Sequence, residues 1–297
     1  MKFSQRHNYD PEYKKRPIRE DAPLWLRSLF FINVLKNFLY IDDDSRFGND
    51  EHKPLGIKAL IERICAENGM ETERDDFDSF YCEEALKERL KSLHWFQFYD
   101  VVELVGELLI EIDNNRVNAW AIKDVEKITF SSYRKEVNGL FLSRGVDWKI
   151  NASARLETPV PNELEQKLDE TSNLLKDNFE PARRHYAKAR AFALGAHKDS
   201  ENSIKEAISA IESICRTYYP SASTLGEALK QMKKEGDISH MLLQVIEKFY
   251  AYTNAEPAIR HGSNKISSVL EYDAEFVLHM SSALIRTIIQ RKNIIDN

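Results

Sequence analysis

The residues best suited to chemistry lie close together near the C-terminus, in Ala258-Ile259-Arg260-His261-Gly262-Ser263-Asn264. Arginine supplies a fixed charge and a planar fork of donors that matches a phosphate. Histidine takes and returns a proton near neutral pH. Gly262 permits close backbone approach, and Ser263 and Asn264 add a hydroxyl and an amide. Arginine with histidine is the minimum set for metal-free RNA cleavage. His261 would remove the 2′-hydroxyl proton while Arg260 offsets charge on the phosphorane. The plainer reading makes both residues caps or braces between helices. Neighbours on a helix diverge by about 100°, so both side chains reach one phosphate only from an irregular turn.

Other constellations are weaker. Arg89 precedes His94 by a spacing that also arises by chance, and so does Arg190 before His197. The pair Arg190 and His197 is kept as a second candidate because it falls in the same half of the chain as Arg260, with Gly195 between to break a shared helix. Glu212 lies at the edge of an apolar stripe, where it either pairs with Arg260 or faces solvent as most glutamates do. Asp42, Asp43 and Asp44 read as a solvated turn, since no ligand spacing follows them. The basic stretch from Pro181 to Arg190 reads as a solvated helix face. There is no P-loop, GxGxxG, GxSxG or HExxH motif and no Cys/His zinc spacing, so neither a metal nor a cofactor is expected.

The elements that must position these residues are nearly all helical. Gly and Pro number only 10 and 9 in 297 residues, which favours long helices. Residues 3–23 carry three prolines and read as an extended arm, and the apolar run Leu24–Tyr40 reads as one buried helix. Further helices are expected over Leu55–Asn68 (stopped by Gly69), Asp76–Leu93, Trp95–Ile112 (closed by Asp113-Asn114-Asn115) and Lys123–Ser143. Val146, Trp148 and Ile150 then alternate with polar residues. This predicts a small hairpin over 146–158 with its turn at Asn151-Ala152-Ser153.

Pro159-Val160-Pro161 makes the best domain boundary, so domains of 1–158 and 159–297 are expected, with Asn162 capping the next helix. Beyond it the spacing predicts helices over Asn162–Asp177, Pro181–Leu194, Ser203–Tyr219, Thr224–Lys234, Ser239–Tyr252 and Tyr272–Arg291. Ser203 with Glu206, and Thr224 with Glu227, have capping-box spacing. Ile204, Ile208, Ile211, Cys215 and Tyr218 form one stripe. Leu242, Val245, Ile246 and Phe249 form another, and Val277, Met280, Leu284 and Ile288 a third. The fold class is therefore mainly α, a helical domain with a small β-hairpin followed by a helical bundle.

The net charge of −6 argues against a whole-chain basic field, leaving any nucleic-acid site local and salt-sensitive. The scattered Cys65, Cys82 and Cys215 read as buried hydrophobes in a reducing compartment. Met1 to His7 has no apolar core of signal-peptide length and no apolar run spans a bilayer, so a cytoplasmic protein without membrane contact is expected.

Several segments resemble one family in the same order. Asn202–Cys215, Thr224–Lys230, Ile259-Arg260-His261-Gly262 and Tyr272–Phe276 look like the C-terminal region of AbiJ-like abortive-infection proteins. Phe3-Ser4-Gln5-Arg6 and Leu24-Trp25 are similar, more loosely, to the N-terminal domain that accompanies it. The resemblance implies a HEPN-like bundle, a role in antiphage defence and a homodimer. It also implies either metal-independent ribonuclease or toxin activity on RNA, or a non-catalytic scaffold or sensor for a protein or nucleotide. Such families usually place four to six residues between Arg and His, whereas Arg260 and His261 are adjacent. The N-terminal domain carries no recognisable chemistry and is expected to bind a protein partner, sense or autoinhibit.

Overall fold

The computed structural model describes residues 17–40, 55–78, 80–116, 129–176, 178–222, 224–236, 238–255 and 268–295. The chain is mainly α-helical and divides into two compact units, Met1–Glu157 and Thr158–Asn297.

The first unit opens with α1 (Leu24–Asn33). The expected single helix to Tyr40 is instead three elements: α1, a 3₁₀ turn over Leu35–Phe38, and strand β1 (Leu39–Tyr40). β1 pairs in parallel with β2 (Leu55–Gly56), which precedes α2 (Ile57–Asn68). Burying Val34, Leu35, Phe38 and Leu39 together suits this tighter path, so tertiary packing overrides helix periodicity. Gly69 stops α2 in the left-handed region at φ 63°, as its position predicts.

The helix expected from Asp76 begins later, as α3 (Cys82–Ser92) after a 3₁₀ turn over Arg74–Phe77. Asp78 sets the delay. Its side chain accepts the Phe80 N–H, and its carbonyl accepts the N–H groups of Tyr81 and Cys82. Arg27 is buried and donates to the carbonyls of Ala22, Leu90, Lys91 and Leu93, the last three at the C-terminal end of α3.

α4 (Trp95–Arg116) runs through Asp113-Asn114-Asn115 instead of closing there. α5 (Phe130–Arg144) starts on a Thr129–Ser132 capping box and ends at left-handed Gly145. The hairpin is shorter than its alternating pattern: only β3 (Lys149–Ile150) and β4 (Leu156–Glu157) pair, antiparallel, while Val146 bridges to Ile18. It packs on Gly106 of α4, where a Cβ would lie 2.8 Å from the Ala154 Cβ. Phe30, Phe38, Phe98 and Tyr133 form the aromatic centre of this core.

The second unit contains α6 (Asn162–Leu174), α7 (Glu180–Leu194), α8 (Ser200–Tyr218), α9 (Leu225–Glu235), α10 (His240–Ala255) and α11 (Glu271–Ile295). α8 is the central helix, packed on α7 and α11. Asn162 is the first helical residue and not a cap; the capping position is Pro161, without a side-chain bond. α8 begins before Ser203. Asp199 caps it by accepting the Asn202 N–H at 3.0 Å. Ser203 is buried, donating to the Ala189 carbonyl, and Glu206 pairs with His185 Nδ1 at 2.6 Å. Thr224 does cap α9, accepting the Glu227 N–H at 3.2 Å.

The α8 stripe of Ile204, Ile208, Ile211 and Cys215 is buried, and Tyr218 is half-buried. On α10 the inner face is Leu243, Ile246 and Phe249, whereas Val245 is exposed. Val277, Leu284 and Ile288 of α11 are buried and Met280 half-buried. All three cysteines are buried.

Candidate functional site

Several of the second unit's buried or half-buried polar groups converge where α6, α7 and α11 meet. α6 contributes Asp169 and Thr171. α7 contributes Tyr186 and Arg190, one turn apart and so on one face. α11 contributes His279, Ser282 and Arg286, whose spacing also puts them on one face. Arg190 Nη1 lies 2.8 Å from Asp169 Oδ1, and both side chains are largely withdrawn from water. The Thr171 and Ser282 hydroxyls are 2.6 Å apart, and each also reaches the Lys167 carbonyl.

Around this pair lies unmet hydrogen-bonding capacity. The Tyr186 hydroxyl is buried beside Thr171 and Ser282 without a hydrogen bond of ordinary geometry, and burial pushes its phenol up to about 12. Ser281 Oγ, His279 Nε2 and Arg286 Nε are buried and make no hydrogen bond. His279 Nε2 is 3.8 Å from Glu275 Oε1, one turn back on α11. Burial lowers the His279 pKa below its ordinary value; Glu275 opposes this and the Arg190 charge adds to it. The imidazole is therefore neutral at pH 7. Arg286 Nη2 sits 3.7 Å from Glu170 Oε2 beside a shallow groove of about 380 Å³, lined by Glu170, Asn173, Leu174, Arg286 and Gln290.

Chemically the seam combines the guanidiniums of Arg190 and Arg286, a neutral imidazole and the hydroxyls of Thr171, Tyr186 and Ser282. It can hold a proton and stabilise a negative charge, but Arg190 is committed to Asp169. Among the described residues, no group of three or more His, Cys, Asp or Glu side chains is placed to hold a metal ion.

Arg260, His261, Ser263 and Asn264 lie outside the described residues, between the end of α10 and the start of α11. Glu212 is buried on α8, not solvent-facing, and accepts the Tyr250 hydroxyl of α10 at 3.2 Å. Arg190 is buried in the seam, while His197 is exposed in the turn after α7. In the basic stretch, Arg183 and Arg184 are exposed and pair with Glu180.

Sequence reasoning passed over His279, Asp169, Tyr186 and Ser282. The available signal was polar residues within an apolar stripe, as His279, Ser281 and Ser282 fall between Leu278 and Leu284. No family model, curated protein or solved structure matches the chain.

Proposed function

We propose that this chain is a cytoplasmic antiphage protein of the abortive-infection type, whose C-terminal bundle cleaves RNA without a metal. Arg260 serves as the phosphate-binding cation and His261 as the base. The observation that carries the reading is the Arg260-His261-Gly262 sequence in the connection between α10 and α11, in a chain resembling AbiJ-like proteins over most of residues 200–290. Its context supports the reading. The segments carrying the resemblance fall on α8, α9 and the start of α11 of one helical unit. Glu212 and Tyr250 tie α8 to α10, the helix that leads into the motif. Among the described residues no helix is long and apolar enough to cross a membrane.

The test is expression toxicity with RNA profiling for wild type, Arg260→Ala and His261→Ala. Both variants should lose toxicity and new RNA ends while keeping wild-type circular dichroism. Equal toxicity in all three folded proteins rejects the ribonuclease.

A second reading, a non-catalytic dimerising scaffold or sensor, is favoured by one specific observation. Met241 and Val245 on α10, and Tyr272 and Phe276 on α11, are exposed, and Phe276 meets Phe249 edge to face at 6.5 Å. Such rings suit a homodimer interface. Light scattering showing a monomer for wild type at working concentration removes the dimer from either reading.

A further inference from the structure

We propose that the exposed rings of Phe77, Phe80 and Tyr81, in the first unit, are a docking surface for a cationic, apolar protein segment. This inference is independent of the ribonuclease reading.

Three aromatic residues stand out of the surface within five positions. Phe80 is 93 % exposed and Tyr81 59 %, and Phe77 is exposed beside them. A phenyl ring left in water forgoes about 2 kcal/mol of burial, and a cluster of such rings on a folded surface marks an interaction site more often than isolated ones do. The turn is held on both sides. Asp76 is buried and bonded by Arg89 Nη2 at 2.8 Å. Cys82 and Leu86 anchor α3 in the core. Between them, Asp78 accepts the Phe80 N–H at 2.8 Å and, through its carbonyl, those of Tyr81 and Cys82. These bonds hold the backbone at Phe80 and Tyr81, which lowers the ordering cost when a partner covers their rings.

Charge selects the partner. Residues 71–84 contain seven acidic residues and one basic one, Arg74. Asp76 and Glu73 share Arg89, Glu83 is answered by Lys36 and Glu84 by Lys87. Lys58 also contributes positive charge near Cys82. Carboxylates still outnumber cations, and the Asp78 carboxylate is bonded to the backbone of Phe80 itself. Such a surface repels nucleic acid and anionic lipid. It attracts a lysine- or arginine-bearing segment whose apolar side chains cover the rings.

The probe is a short fluorescein-labelled peptide of lysine and leucine in amphipathic helical order. An oligolysine and a glutamate/leucine peptide serve as controls. Binding to the full chain is read by fluorescence anisotropy at low and high salt. The lysine/leucine peptide should bind, weaken as salt rises, and lose about thirty-fold in affinity on Phe80→Ala/Tyr81→Ala, the loss of aromatic anchors. Phe80→Trp should retain binding, and Glu71→Lys should weaken it several-fold. Glu71 is exposed, so this charge variant decides the matter even if the ring variant fails to fold.

Wild-type affinity in the folded double alanine variant would overturn the proposal, as would oligolysine binding equally well or the absence of binding by wild type. Self-association of the wild type that Phe80→Ala abolishes would replace the cationic partner with a second copy.

Discussion

Severing the Asp169–Arg190 pair should unfold the second unit well before the first. Both side chains are nearly withdrawn from water, 7 % exposed for Arg190 and 15 % for Asp169, with 2.8 Å between nitrogen and oxygen. Two charges about 4 Å apart at an effective dielectric near 20 attract by about 4 kcal/mol, most of it offset by the desolvation of both. Removing one partner keeps the desolvation cost of the other and loses the attraction. Arg190→Met and Asp169→Leu should each cost about 3–5 kcal/mol. Arg190→Met/Asp169→Leu should fall within about 2 kcal/mol of wild type, because no orphaned charge remains.

The chain offers its own way of reading the units separately. All four tryptophans, Trp25, Trp95, Trp120 and Trp148, belong to the first unit, whereas circular dichroism reports helices of both. With a urea slope of about 2 kcal/mol per M, each single variant should advance the second unit's dichroism transition by about 2 M. The tryptophan fluorescence transition should stay where it was. Single-variant costs that add in the double variant, leaving a coupling below about 0.5 kcal/mol, would refute the reasoning. They would mean that solvent screens the pair.

The folded state holds His279 below its ordinary pKa, so the unfolded chain binds more protons; stability is complete above about pH 6.5 and falls as pH drops through that value, and His279→Gln should flatten the fall in urea midpoints measured down the acid limb. Gly106→Ala should cost about 1–3 kcal/mol in the fluorescence transition, because the new methyl meets Ala154 at 2.8 Å and Ile150 and Phe130 at 3.1 Å, and an unchanged midpoint would show that the hairpin yields. Arg27→Leu should cost about 3–5 kcal/mol in that same transition by stranding the carbonyls of Leu90, Lys91 and Leu93, and a shift under about 1 kcal/mol would show that water replaces the guanidinium.

What the sequence made legible was local. The buried stripe of α8 follows from apolar residues at helical spacing, and glycine stops at Gly69 and Gly145 follow from their left-handed backbones at φ 63° and 69°. Where two local solutions competed, the sequence could not choose. Ser203 and Glu206 match a capping box, yet Asp199 caps equally well one turn earlier, and only the α7 backbone offers Ser203 a buried acceptor. The stretch 34–40 failed for a related reason, since parallel pairing with Leu55-Gly56 lies beyond any local window. The polar seam was hidden because its meaning depends on which helices meet. His279 alone is a histidine on an apolar helix, and it becomes interesting only against Arg190 and the Tyr186 hydroxyl.

The second unit's other arginines bear on how much rests on Arg260. Arg183 and Arg184 share Glu180, Arg190 holds Asp169, Arg286 leans on Glu170, and neither Arg216 nor Arg291 is free. A phosphate arriving at this unit would therefore have to compete with a carboxylate for Arg183, Arg184, Arg190 and Arg286. The terms of that competition differ from site to site. At the exposed Glu180 cluster solvent screens the pairs, so on the proposed reading an RNA backbone would draw Arg183 and Arg184 away. At Arg190 displacement would strand a buried Asp169, which argues that this arginine serves the fold. A cation that binds the scissile phosphate must be available without dismantling the bundle. Under the proposed ribonuclease reading, the surface arginines of α7 would supply affinity, and the charge on the transition state would be assigned to Arg260, next in sequence to the histidine proposed as the base.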